Sequence, residues 1–252
     1  VYALFVTGTA GSGKSLLTHR LIEWYTAKNA YVSALNLDPG AVSLPYEPAV
    51  DVRDFIDIGT IMDSYSLGPN GALIMASDML ATKLDEIQDE VDSVNPDYLI
   101  VDTPGQMELF AYRPSGPFFI SNFKCDVKAA AFLFDGTLVS SPLNFISVAL
   151  LAASIQLRLK LPQVNILSKT DLVQEKVKSI LSWSSTPALL EEAIAEEKDG
   201  ETYMLGRGLL KSVIKSGFTP GLLAVSSESM EGMVNLAAAL GRIFKMGEEI
   251  EE

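Results

Sequence analysis

The sequence predicts an α/β fold of three layers, helix, sheet and helix, built on a mainly parallel central sheet. Three observations carry this. Short apolar runs alternate with segments of helical periodicity along the chain. The runs are apolar at successive positions, as strands covered on both faces must be. The polar residues with chemical potential fall where the runs end, at the carboxyl edge where open parallel sheets bind ligands.

The elements follow in order. Tyr2 to Thr7 is the first apolar run, and a glycine loop from Gly8 to Ser15 follows it. Leu16, Leu17, Leu21, Trp24 and Tyr25 then recur at helical spacing. Tyr31 to Leu37 reads as a buried strand ending at Asp38-Pro39-Gly40. Residues 41–59 read as irregular around Pro45 and Pro48, and Gly68-Pro69-Asn70-Gly71 as a break. A helix is expected from about Ser77 to Val94, a strand from Tyr98 to Val101 ending at Asp102, and loop with short helix over 104–126. Lys128 to Phe134 is a strand ending at Asp135-Gly136. A long helix from about Pro142 to Leu161 has its most apolar stretch at Phe145 to Ile155, short of the ~20 residues that cross a bilayer. Val164 to Leu167 and Leu222 to Val225 are the last strands, separated by charged helical segments over 174–217. A final helix is expected from about Met230 to Met246. With no repeat, low-complexity tract or linker, residues 1–252 are expected to form a single domain. An acidic tail at about 247–252 carries Glu248, Glu249, Glu251 and Glu252.

Composition narrows the function. The formal charge of -13 disfavours non-specific binding to nucleic acid or anionic lipid. Neither a nucleic-acid nor a membrane partner is therefore expected. One cysteine and one histidine allow no intramolecular disulfide, Cys/His zinc site or iron–sulfur cluster. Such low cysteine use suits a reducing cytosol, and residues 1–7 lack the charged start of a signal peptide, so a cytoplasmic location is expected. An apolar fraction of 48% lies at the high end for soluble chains and points to a patch buried against a partner.

Gly8-Thr9-Ala10-Gly11-Ser12-Gly13-Lys14-Ser15 fits G-x-x-x-x-G-K-[ST] without a mismatch, between a strand and a helix. Glycines let backbone amides curl around phosphate oxygens, and the helix start adds its positive end. Lys14 offers a cation to the β- and γ-phosphates, and the Ser15 hydroxyl a ligand to magnesium. The fold expected is thus that of a P-loop NTPase, with residues 8–15 and the following Leu16 around the nucleotide. Asp102 ends the next chemical strand, in Asp102-Thr103-Pro104-Gly105-Gln106. It can hold magnesium, or simply cap a helix. Gly105 can offer an amide to the γ-phosphate, and Gln106 lies where a water-positioning side chain belongs. Ser168-Lys169-Thr170-Asp171 can select the base: a carboxylate accepts two hydrogen bonds from guanine, and adenine has no donor at N1. The same residues also fit a polar strand end with a capping aspartate. Ser226-Ser227 stands where a backbone amide can meet the guanine oxygen. A phosphotransferase acting on a small acceptor would need a basic lid, and no arginine-rich segment supplies one.

These elements, with Asn36-Leu37-Asp38-Pro39, Leu44-Pro45-Tyr46, Asp51-Val52-Arg53-Asp54 and Gly68-Pro69-Asn70-Gly71, span nearly the whole chain. In this order the chain resembles the GPN-loop GTPases, of the SIMIBI class. The resemblance implies hydrolysis of GTP to GDP with Mg2+ and a tight homodimer or heterodimer. It implies that Gly68, Pro69 and Asn70 reach the partner's nucleotide site, with Asn70 near the γ-phosphate. Asp38 would stand beside magnesium and the attacking water, which Gln106 and Glu108 would help orient. Eukaryotic members act in RNA polymerase II biogenesis and nuclear import, so a client in RNA polymerase assembly is among the implied partners. Two departures stand out: Ser168 where asparagine is usual, implying a weaker tie to neighbouring loops, and Gly40 where many members carry alanine.

Overall fold

The computed structural model describes residues 1–196 and 200–248. The acidic tail beyond Glu248 lies outside the described residues. The chain opens with β1 (Tyr2–Gly8), the glycine loop, α1 (Lys14–Thr26) and β2 (Val32–Asn36). Next come β3 (Val50–Asp51), a 3-10 turn over Val52–Asp54, α2 (Ile58–Tyr65), α3 (Pro69–Met79) and α4 (Leu84–Val94). After β4 (Tyr98–Asp102), α5 (Met107–Phe110) and α6 (Ser115–Asn122) lead to β5 (Val127–Asp135) and α7 (Pro142–Leu159). β6 (Gln163–Ser168), α8 (Gln174–Ser185), α9 (Pro187–Glu196), α10 (Gly200–Ser216), β7 (Leu222–Ala224) and α11 (Met233–Glu248) complete it.

Among the described residues the strands form one seven-stranded sheet in the order β3-β2-β4-β1-β5-β6-β7, with every pairing parallel. This is the three-layer α/β/α architecture of the P-loop NTPases. Alternate strand residues face opposite layers. Leu4 and Val6 of β1, with Ala129, Ala131 and Leu133 of β5, pack on Leu17 and Leu21 of α1 and on Leu236 and Leu240 of α11. Ala3, Phe5, Phe132 and Phe134 face the other layer, where Phe110, Phe119, Phe123 and Phe145 are buried. Small residues on one face of β5 let the two flanking helices come close, while its phenylalanines fill the thicker layer.

Register brings the strand ends level. Val6 and Asn36 both lie opposite Asp102, and Asp135 lies opposite Ser168. The polar strand-end residues therefore share one edge of the sheet.

Four boundaries differ from the sequence expectation. Residues 41–59 hold β3, only two residues long and paired to Leu35 and Asn36. Asp57 then caps α2, accepting from the Thr60 amide at 2.6 Å. Gly68-Pro69 begins a helix: proline sits at the first helical position, where its fixed φ suits and no amide is needed. The single helix expected over 77–94 is two, parted where the Thr82 hydroxyl donates to the Met79 carbonyl. The last helix starts at Met233 because Met230 and Gly232 hold φ of 65° and 83°, outside the helical region. α7 runs 18 residues and by length and composition could cross a membrane, yet Phe145, Ala149, Ala152 and Ile155 along it lie in the core.

Candidate functional site

The glycine loop wraps the end of β1. Gly8 has φ +148°, and a Cβ there would lie 2.8 Å from Ser12 Oγ and 3.0 Å from the Leu133 carbonyl oxygen, so only glycine fits. Gly11 and Gly13 also take positive φ, which turns the loop into the start of α1. The Lys14 ammonium folds back over this loop, donating to the carbonyls of Gly8 at 3.2 Å and Thr9 at 3.1 Å. Burial pushes the Lys14 amine down, while Asp102 and Asp38 pull it back up. Ala10, Gly11, Gly13, Ser15 and Leu16 line the same pocket as Lys14, with Asp38, Thr103 and Gly105 opposite.

Asp102 is 2% exposed. Its Oδ2 accepts from the Tyr46 hydroxyl at 3.0 Å, and its Oδ1 is buried with no hydrogen-bond partner. Burial raises this carboxyl, and Ser15, Tyr46 and Lys14 pull against that rise. Beside it the Thr103 hydroxyl donates to the Val6 carbonyl at 2.8 Å, tying β4 to β1. Tyr46 is itself pushed up, by burial first and then by Asp102.

Asp38 faces the loop from the turn just past β2. Its Oδ1 accepts from the Gly40 amide at 2.9 Å and its Oδ2 from the Gly105 amide at 3.4 Å. Gly105 lies against Ala10 and the Lys14 ammonium, since a Cβ on it would be 3.7 Å from each. Gln106 is exposed at the start of α5, which also carries Glu108. Gln106 shares a second pocket with Asp38, Gly40 and Gly105, and with Leu73 and Ser77 of α3. Gly40 leaves room here: a Cβ would sit 2.8 Å from Leu73 Cδ2. Asn70, on the same face of α3 as Leu73 and Ser77, is exposed and lines neither pocket.

The Ser168 to Asp171 segment, expected at the base end, is assembled differently. The Ser168 hydroxyl lies 2.9 Å from the Ser12 carbonyl oxygen and 3.2 Å from that of Phe134. Serine thus still ties β6 to the glycine loop, because β6 passes close enough for a short side chain to reach. Lys169, at φ 56°, donates to Asp135 Oδ2 at 2.7 Å. Asp171 Oδ1 accepts from the Ser226 hydroxyl at 2.7 Å, and the Ser227 carbonyl from Arg20 at 2.8 Å. Asp171 and Thr137 border an open pocket that the base end faces.

The structure thus gathers Lys14, Ser15, Asp38, Asp102 and Gly105 at one end, and Ser168, Lys169, Asp171 and Ser226 at the other. Sequence reasoning missed Tyr46 and Asp135 as members of the site. A proline-flanked tyrosine carries no local sign of its long-range partner, whereas Asp135 ends a strand as Asp102 does. Arg113 makes a two-bond ion pair with Asp78 of α3, one bond at 2.6 Å.

A glycine loop between β1 and a helix, a strand-end aspartate three positions before Gly105, and a parallel sheet in this order define a P-loop nucleotide hydrolase. The family described as "Conserved hypothetical ATP binding protein" matches residues 6–246. GPN-loop GTPase 3 of Kluyveromyces lactis is 30% identical, over 98% of this chain and 93% of that protein. GPN-loop GTPase QQT2 of Arabidopsis thaliana is 32% identical over 90% of this chain and 61% of its own. A GTPase from Pyrococcus abyssi, solved in its apo form, superposes with a TM-score of 0.83 at 29% identity, covering 96% of this chain and 97% of that one. The chain belongs to the GPN-loop GTPase family and is a GTP hydrolase.

Proposed function

We propose that this GTPase works as a magnesium-dependent homodimer in which Gly68, Pro69 and Asn70 of one subunit reach the nucleotide site of the other. One observation carries the reading. The loop is the exposed outer end of α3, while Leu73 and Ser77 of the same helix border the site beside Asp38 and Gln106. Asn70 thus belongs to an element seated at the γ-phosphate end, yet in its own subunit it borders neither pocket there.

The residues fit magnesium. Asp102 Oδ1 is buried and unpartnered beside Ser15, an arrangement that costs stability until a cation arrives. Among the described residues no group of three Asp, Glu, His or Cys could hold a metal, which suits an ion that shares phosphate oxygens. Ser15, Asp38 and Asp102 would hold it; bound there, it would neutralise developing phosphate charge. Residues 8–16 cradle the phosphates, Lys14 leaves the loop carbonyls for phosphate oxygens, and the Gly105 amide meets the γ-phosphate. Asp38, Gln106 and Glu108 hold the attacking water in line, and Asn70, being neutral, positions rather than neutralises. Asp171 pairs with guanine, the Lys169 stem lies along the purine, and Ser226 and Ser227 close the base end. The product switch is expected to act in the cytoplasm as an assembly factor, with RNA polymerase assembly as its client.

The test measures phosphate release from GTP and ATP with magnesium, over a range of protein concentrations, for wild type and Asn70→Ala. GTP should be preferred, and Asn70→Ala should slow turnover about 10–100-fold. Mixing Asn70→Ala with Lys14→Ala subunits should restore activity, because one mixed dimer site then has both an intact loop and an intact lysine. Unchanged turnover in Asn70→Ala, or no restoration on mixing, would defeat the trans arrangement.

A further inference from the structure

We infer that Arg53 and Asp51, acting through Asn36, form a positioning relay that sets the Asp38 loop for hydrolysis. Asn36 is fully buried at the end of β2 and brackets the Asp38 backbone from both sides. Its Oδ1 accepts from the Asp38 amide at 3.0 Å, and its Nδ2 lies 3.2 Å from the Asp38 carbonyl oxygen. The same Nδ2 donates to Asp51 Oδ1 at 3.0 Å, and Asp51 is the residue opposite Asn36 on β3.

Arg53 fixes that aspartate. Its Nε lies 3.0 and 3.1 Å from the two Asp51 oxygens, and its terminal nitrogen donates to Oδ2 at 2.6 Å. The other terminal nitrogen donates to the Ala41 carbonyl at 2.9 Å. One ion pair therefore holds the 38–41 loop at both ends, at Asp38 through Asn36 and at Ala41 directly. A planar guanidinium can do both at once; an ammonium cannot. The loop in turn aims the Asp38 carboxylate at the amides of Gly40 and Gly105. Neither Arg53 nor Asp51 lines the two pockets around Asp38, so they act through it and touch no substrate. The inference rests on the reading of Asp38 as the residue beside the attacking water.

The experiment compares Arg53→Gln, Arg53→Lys, Asp51→Asn and Asp38→Asn, alone and as the double variant Arg53→Gln/Asp38→Asn. It reads kcat and KM for GTP and the GDP dissociation constant by calorimetry. Arg53→Gln should lower kcat by about 10–100-fold, from misplacement of Asp38, with KM and GDP affinity within about twofold of wild type. Arg53→Lys should recover less than half of the lost rate, and it carries the test should Arg53→Gln fail to fold. The double variant should be no slower than Asp38→Asn. Multiplying losses in the double variant, full rescue by lysine, or a GDP affinity that falls with kcat would overturn the relay. A wild-type rate in Asp38→Asn would instead defeat the role of Asp38 itself, whereas a slow Asp38→Asn beside a normal Arg53→Gln defeats the relay alone.

Discussion

The two ends of the nucleotide site are prepared in opposite ways. At the phosphate end, Lys14 rests on loop carbonyls and Asp102 keeps a buried oxygen without a partner. At the base end, Lys169, Asp171 and Ser168 already have protein partners. The first holds charge in unfavourable surroundings that an incoming ligand relieves. The second is already hydrogen-bonded to the protein, and is expected to select by shape and hydrogen bonding. Affinity and chemistry should therefore depend on the phosphate end, and base discrimination on the other.

The largest effect expected is that of Asp102→Asn. Losing the carboxylate should cut GTP hydrolysis by about 10²–10³-fold, read as phosphate release at saturating GTP. GTP should still outcompete ATP in that variant; a lost preference would show that the two ends are not separable. Next comes Asp171→Ala, which should raise the KM for GTP by about 10²-fold and leave kcat within a few-fold, because a purine that offers two donors loses both acceptors. A fall in kcat as large as the rise in KM would merge the two ends again.

The smallest effect should be that of Asp135→Asn. Burial pushes the Asp135 carboxyl up, but the bonds from Lys169 and Thr137 outweigh it and leave it below the ordinary aspartate range. A depressed carboxyl stabilises the fold above its unfolded pKa of about 3.9, and that gain fades as pH falls through the folded value. Asp135→Asn should thus lower stability by about 1 kcal/mol at pH 7, with the difference from wild type shrinking below about pH 4. Denaturant unfolding at the two pH values checks it, and an equal loss at both would remove the charge from the explanation.

What the sequence made legible was what is local. Strands such as β1 and β5 announce themselves as unbroken apolar runs because both faces are buried, and the glycine loop because its spacing alone dictates the turn. β3 was invisible: two residues cannot show periodicity, and only pairing with β2 makes them a strand. Pro69 misled because a proline breaks a helix in its interior but suits its first turn, and the sequence does not say which applies. Tyr46 and Asp102 are far apart in the chain and meet only through the fold. Ser168 meets the Ser12 carbonyl for the same reason.

Past the buried Ala72 the two ends of α3 differ: Gly68, Pro69 and Asn70 at the outer end are exposed. Leu73 sits against Gly40, and the next residue after Ser77 is held by Arg113. Asn70 lies seven residues before Ser77, about 10 Å further out along the axis at 1.5 Å per residue. A tilt of about 10° about Ser77 would sweep the tip at Asn70 by about 2 Å. A shift of Leu73 beside Gly40 would therefore carry to Asn70, one helical turn away on the same face.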